Sequence, residues 1–127
     1  MTFRPAGIGA ITLFVEDPGE AKHFYAAAFG LPVHFEDEVS VVFRIGDTLL
    51  NLLQAAEATE LIAPALVGAA DSGSRMQLTL NVDDVDATCD ELRARGVELL
   101  NGPMDRPWGV RTAAFSDPDG HVWEIAR

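Results

Sequence analysis

Glu124 stands in the middle of a short apolar run, HVWEIA, that follows the turn FSDPDG. A carboxylate placed there has three readings: a metal ligand, an acceptor for a donor or cation on a bound molecule, or an ordinary acidic strand residue. Five other side chains offer chemistry at comparable positions. Gln77 and Thr79 lie in QLTLNV, Asn51 in TLLNLLQ, Trp108 in RPWG and Arg111 in GVRTAAFS. Asn51 and Gln77 carry neutral amide oxygens, which are weak ligands for Zn²⁺, Ni²⁺ or Fe²⁺. The Trp108 indole can stack on a flat ligand or attract a cation, or it can pack its loop against the core. Arg111 can pair with Glu124 or meet an anionic group on a ligand.

Other chemically suggestive residues point away from a site. His23, His34 and His121 are not clustered, and His121 stands three residues before Glu124. On a strand that spacing sends the two side chains to opposite faces. Cys89 falls on an apolar stripe with Val85 and Leu92 and reads as a small buried hydrophobe. DPDG, residues 117–120, is a turn signal without the further oxygen ligands of a calcium loop.

The elements that must position these residues come in two similar sets. AITLFV, rich in β-branched and aromatic residues, predicts a strand, and DPGE then opens a helix with Asp17 as cap and Pro18 in its first turn. Ala21, Phe24, Tyr25 and Ala28 form one apolar helical face, and Gly30 followed by Pro32 ends the helix. VHFED, VSVVFRI and TLLNLLQ predict three strands, with a turn at Gly46-Asp47. The second set opens with QLTLNV, whose Leu78, Leu80 and Val82 share one face and Gln77, Thr79 and Asn81 the other. A helix capped by Asp84 and ended by Gly96 follows, then strands in VELLN, GVRTAAFS and HVWEIA. Val15 and Val82 lie 67 residues apart, and Gly30 and Gly96 lie 66 apart, so the order strand-helix-strand-strand-strand repeats almost in register.

This predicts an α+β protein of one domain, 1–127, with a first βαβββ module over 8–54, a linker over 55–75 carrying a helical turn near Glu57 to Ile62, and a second module over 76–127. Each sheet has one face covered by its helix and one bare. Two bare faces turned toward each other would make a curved trough with the helices outside, a natural place for a ligand.

Composition narrows the partners. Nine Lys+Arg against 20 Asp+Glu leave a net charge of −11 in 127 residues. That disfavours nucleic acid and anionic membranes; it would attract a cationic ligand, although the plainer reading is that acidity maintains solubility. No apolar run approaches the roughly 20 residues of a membrane span. The lone Cys89 has no internal disulfide partner and MTFRPAGIGA lacks a signal-peptide pattern, so the expected location is cytoplasmic.

The segments ITLFVEDPGEAKHFYAAAFGLPV, LTLNVDDVDATCDELRARGVEL and RPWGVRTAAFSDPDGHVWEI together resemble the vicinal oxygen chelate superfamily over nearly the whole chain. That group includes glyoxalase I, extradiol dioxygenases, fosfomycin-resistance transferases and bleomycin-resistance proteins. The resemblance implies paired βαβββ modules, often in a homodimer, with a divalent metal held by the first and fourth strands of each module. The matching positions here are Ala10, Asn51, Gln77 and Glu124. Ala10 has no donor and only Glu124 is charged, so the chain is most similar to the metal-free bleomycin-resistance-like branch. The implied function is binding of a small organic molecule without a cofactor, through Asn51, Gln77, Thr79, Trp108, Arg111 and Glu124. The alternative is a lyase, isomerase or dioxygenase with an unusual divalent metal site; for catalysis without a metal, Glu124 is the candidate catalytic residue, as a general base.

Overall fold

The computed structural model describes residues 3–127. They form two compact units, one ending at Gly68 and the other running from Ala69 to Arg127. Each unit is built on one open, four-stranded mixed sheet, and the chain is α+β with a βαβββ module in each unit.

In the first unit β1 (Ala10–Val15), α1 (Pro18–Phe29), β2 (Phe35–Glu36), β3 (Ser40–Ile45), β4 (Thr48–Gln54) and α2 (Ala55–Ile62) follow one another. The sheet order is β1-β4-β3-β2, with β1 parallel to β4 and the other pairs antiparallel. α1 starts because the Asp17 carboxylate accepts the Gly19 and Glu20 amides at 2.9 and 3.3 Å, which satisfies donors that have no partner within the helix. It stops at Gly30, whose φ of 65° only glycine adopts cheaply. Strand register sorts the side chains: Leu13, Leu52 and Val41 share one face with Leu50 and Phe43, and all five are buried. α1 contributes Ala21, Tyr25 and Ala28 to that core and packs against β3 and β4. Phe24 is only half-buried, and its ring meets Tyr25 edge-on at 5.1 Å. The helical turn expected near Glu57 is a full helix that begins at Ala55, directly after β4, and buries Ala58 while packing on β4 and β1.

The second unit holds β5 (Gln77–Asn81), α3 (Val85–Ala94), β6 (Leu99–Asp105), β7 (Arg111–Ser116) and β8 (Val122–Ala126), in sheet order β5-β8-β7-β6. β5 and β8 are parallel, and the other pairs are antiparallel. Asp84 caps α3 by accepting the Ala87 amide at 3.0 Å. Val85, Cys89 and Leu92 are buried on α3, together with Trp123, Ile125, Ala113 and Phe115 from the sheet. Cys89 is thus a core residue, and burial raises its thiol pKa.

β6 departs from the expected VELLN strand. It runs on to Asp105, and its pairing with β7 shifts between Asn101↔Ala114 and Met104↔Thr112. Three steps along β6 therefore match two along β7, a bulge that brings Asn101 and Met104 to the same face. Gly102 sits in the bulge with φ 86°, where a Cβ would lie 2.5 Å from the Thr112 carbonyl oxygen and 2.7 Å from Ala113 Cα. Both atoms belong to the neighbouring backbone, so the contact cannot be relieved by a rotamer change.

Gly102→Ala is therefore expected to cost about 2–5 kcal/mol of folding stability, by left-handed strain plus overpacking. Gly46→Ala, at a turn with φ 57° and open space around its Cβ position, should cost only about 1–2 kcal/mol. Urea unfolding of the two variants checks the order; equal losses would show that the bulge contact does not govern this strand.

Candidate functional site

The register of the second sheet lays out one row of side chains across four strands: Thr79, Glu124, Ala114 and Asn101. Leu78, Leu80, Trp123 and Ile125 occupy the alternate positions of β5 and β8, on the side where α3 buries its apolar face. Glu124 is consequently turned away from the helix and is half-buried. The Thr79 hydroxyl donates to Glu124 Oε1 at 2.9 Å, which holds the carboxylate in place. Ala114 and Ala126, beside it on β7 and β8, are small and buried.

The expected residues divide between locations. Thr79 and Glu124 are in contact. Gln77 lies one row away, opposite Val122, and is exposed. Asn51 belongs to the first unit, in the row Thr12–Asn51–Val42, and its Oδ1 is enclosed with no hydrogen-bond partner. Ala10 stands opposite Leu49, one row from Asn51. Trp108 is 70% exposed in the β6–β7 turn, so the indole does not pack its loop against the core.

Arg111 does not pair with Glu124. Its Nε and Nη2 donate to the two carboxylate oxygens of Asp86 on α3 at 2.8 and 2.9 Å, and its Nη1 donates to Asp105 at 3.0 Å. On β7 it shares the parity of Ala113 and Phe115, the helix side of the sheet. Its hydrogen bonds to Asp86 and Asp105 raise its pKa, and its own hydrogen bond holds Asp86 below the usual carboxylate range. Here Arg111 ties a helix to a strand edge.

A different arginine reaches the polar face. Arg106 Nε donates to Thr112 Oγ1 at 2.8 Å and Nη2 to Asn101 Oδ1 at 3.3 Å, and its Cζ lies 5.9 Å from the centre of the Trp108 ring. The β6 bulge creates this arrangement, because it sets Asn101 and the Thr112 row on one face. Sequence reasoning missed Arg106. The one available signal was its place at the start of the RPWG turn, where the chain reverses onto Thr112.

His121 is occupied elsewhere. Its Nδ1 lies 2.8 Å from Asp117 Oδ2, while Asp117 Oδ1 accepts the amides of Asp119 and His121 at 2.9 Å. Asp117 is 5% exposed and anchors the DPDG turn. Burial alone would lower the imidazole pKa, but the hydrogen bond and charge of Asp117, with a smaller contribution from Asp119, raise it overall.

The positions that the resemblance marks for metal ligands, two in each unit, carry few strong donors. Ala10, Asn51, Gln77 and Glu124 supply one carboxylate, two neutral amides and no imidazole, where a catalytic zinc or iron centre takes three strong ligands. Among the described residues no three His, Cys, Asp or Glu side chains gather as a metal-binding group.

Comparison with known proteins agrees with this architecture. A family model described as Glyoxalase/Bleomycin resistance protein/Dioxygenase superfamily matches residues 7–125. The Bacillus subtilis strain 168 protein YraH, itself uncharacterised, is 36% identical over 121 residues, covering 91% of this chain and 93% of YraH. A glyoxalase-related enzyme from Fulvimarina pelagi superposes with a TM-score of 0.82 at 26% identity, covering 96% of this chain and 88% of that one. TnmS3, an antibiotic binding protein from Streptomyces sp. CB03234, superposes with a TM-score of 0.73 at 29% identity, covering 98% of this chain and 97% of that one.

The Asp117–His121 pair makes stability depend on pH. Because the folded-state pKa of His121 is raised above 6.5, its contribution is fully present below pH 6.5 and is lost as pH rises through the folded value. An NMR titration of the His121 ring should give a midpoint above 6.5. Asp117→Asn should remove this pH dependence and cost about 1–3 kcal/mol. A midpoint at or below 6.5 would show that burial outweighs the aspartate.

Proposed function

The chain belongs to the glyoxalase/bleomycin resistance protein/dioxygenase superfamily, and from that membership we propose that it binds a small organic molecule on the polar face of its second sheet, without a metal. The observation that carries this is the state of Glu124. It is a half-buried carboxylate in mid-strand, oriented by one hydroxyl and bordered by small alanines, and among the described residues it belongs to no group of three potential metal ligands. A carboxylate so placed is a hydrogen-bond acceptor for a ligand N–H or O–H, neutral or cationic. Thr79 keeps it aimed and reduces the ordering needed on binding. The likeness to TnmS3 supports a binding role, as does the bleomycin-resistance portion of the family.

The competing reading is a metal-dependent lyase, isomerase or dioxygenase, and metal content separates the two. Protein purified without chelator should carry well under one equivalent of Ni, Zn, Fe or Mn by elemental analysis. In a thermal-shift panel of small organic compounds, a ligand should raise Tm in proportion to its occupancy. Glu124→Gln should weaken that ligand about tenfold or more, the scale of a lost charge-assisted hydrogen bond, and Thr79→Val should weaken it less. Stoichiometric metal that disappears in Glu124→Gln would replace this proposal with the enzymatic one.

A further inference from the structure

The cations of this acidic chain are largely committed to carboxylates: Lys22 pairs with Glu36, Arg93 with Asp90, Arg95 with Glu91, Arg111 with Asp86 and Asp105, and Arg127 with Asp83. Arg44 is held by a neutral group, the Gly46 carbonyl of its own turn, and Arg106 by several on the polar face of the second sheet. The Arg106 guanidinium meets the Thr112 hydroxyl, the Asn101 amide oxygen and the face of Trp108, all neutral groups. Thr112 is 1% exposed, so the group that positions Arg106 is rigid and dry. A guanidinium has about five N–H donors. Two are used here, on Nε and Nη2, which leaves about three, including both on Nη1, to meet something else. Held by two neutral side chains beside the exposed face of Trp108, Arg106 presents these donors where a planar carboxylate can meet them.

We infer that Arg106 receives the carboxylate or other oxyanion of the ligand, with Trp108 flanking a flat portion of the same molecule. The inference rests on the proposed ligand-binding role of Glu124 and adds the ligand's class: a planar organic anion whose far end carries a hydrogen-bond donor. The spacing supports both ends at once. Asn101 and Glu124 lie in the same row, two strands apart. At about 4.8 Å per strand, Glu124 and the Asn101 that holds Arg106 stand about 10 Å apart, a span that one substituted aromatic ring can bridge between side chains. Glu124 takes the donor and repels a carboxylate, and Arg106 does the reverse, so the face has a polarity that orients its ligand. Electrostatics of the whole chain favour cations, and this site works against that background through a bidentate geometry that a diffuse field lacks.

Three probes of one shape test the assignment by calorimetry on the full chain, with Trp fluorescence as a second readout: 4-hydroxybenzoate, methyl 4-hydroxybenzoate and 4-hydroxybenzylamine. The carboxylate should bind at least tenfold tighter than the ester or the amine. Arg106→Gln should abolish that preference, and Arg106→Lys should restore part of it, which separates lost charge from lost folding. Trp108→Ala, at an exposed position, should weaken all three probes severalfold and leave the preference intact. Equal or tighter binding of the ester or amine, or a preference that survives Arg106→Gln, overturns the inference. If Glu124→Gln still weakens those neutral or cationic probes, the ligand-binding proposal stands without it. Failure of all three probes to bind at millimolar concentration overturns the inference as well, and the broader compound panel then decides the proposal beneath it.

Discussion

Parallel pairing of β5 with β8 is the constraint on which the candidate site depends. Side chains alternate along a strand, so burying Trp123 and Ile125, with the half-buried Leu78 and Leu80 beside them, on the side of α3 commits Thr79 and Glu124 to the other side. A slip of one residue would put the Glu124 carboxylate under the helix, unpaired, and lift Trp123 into water. Both changes cost several kcal/mol, so the apolar residues enforce the register of the polar ones. The Thr79–Glu124 hydrogen bond is a consequence of that register, since the two residues are direct partners across the strands.

Two arginines five residues apart show how position within one hairpin assigns a role. Arg111 is on the helix side of β7, and Asp86 and Asp105 take up its guanidinium. It fastens α3 to the sheet and has few donors left over. Arg106 precedes the turn and bends back over the opposite face, where it finds only neutral acceptors. The difference in available charge follows from which face each side chain reaches. It does not follow from residue type.

Much of the fold was legible from local pattern. The apolar stripe of α3, the Asp17 and Asp84 caps, the glycine stop at Gly30 and the buried Trp123 and Cys89 all depend on contacts within a few residues or on simple alternation. α2 was underread because its alanines group with the Gly, Ser and Pro64 that follow as linker composition, whereas the segment is helical and packs on β4 and β1. The site was legible in part. Alternation placed Thr79 and Glu124 on one face, and the exposed Trp108 was singled out. Arg106 was not, because its approach to Thr112 depends on a bulge at Gly102 whose cause is the neighbouring strand's backbone.

By itself, then, the sequence determined the duplicated βαβββ plan, the apolar face of α3, the alternation of β5 and β8, and the poverty of metal donors at Ala10, Asn51, Gln77 and Glu124. Those properties are set by residue type and short spacing. Tertiary structure alone decided which partner each long polar side chain takes: Asp86 for Arg111 across 25 residues, Thr79 for Glu124 across 45, and Thr112 and Asn101 for Arg106 through the bulged hairpin. The physical reason is reach. A flexible charged side chain can meet many partners within several ångströms, and only the cross-strand register, fixed by backbone hydrogen bonds and the burial of apolar neighbours, selects one.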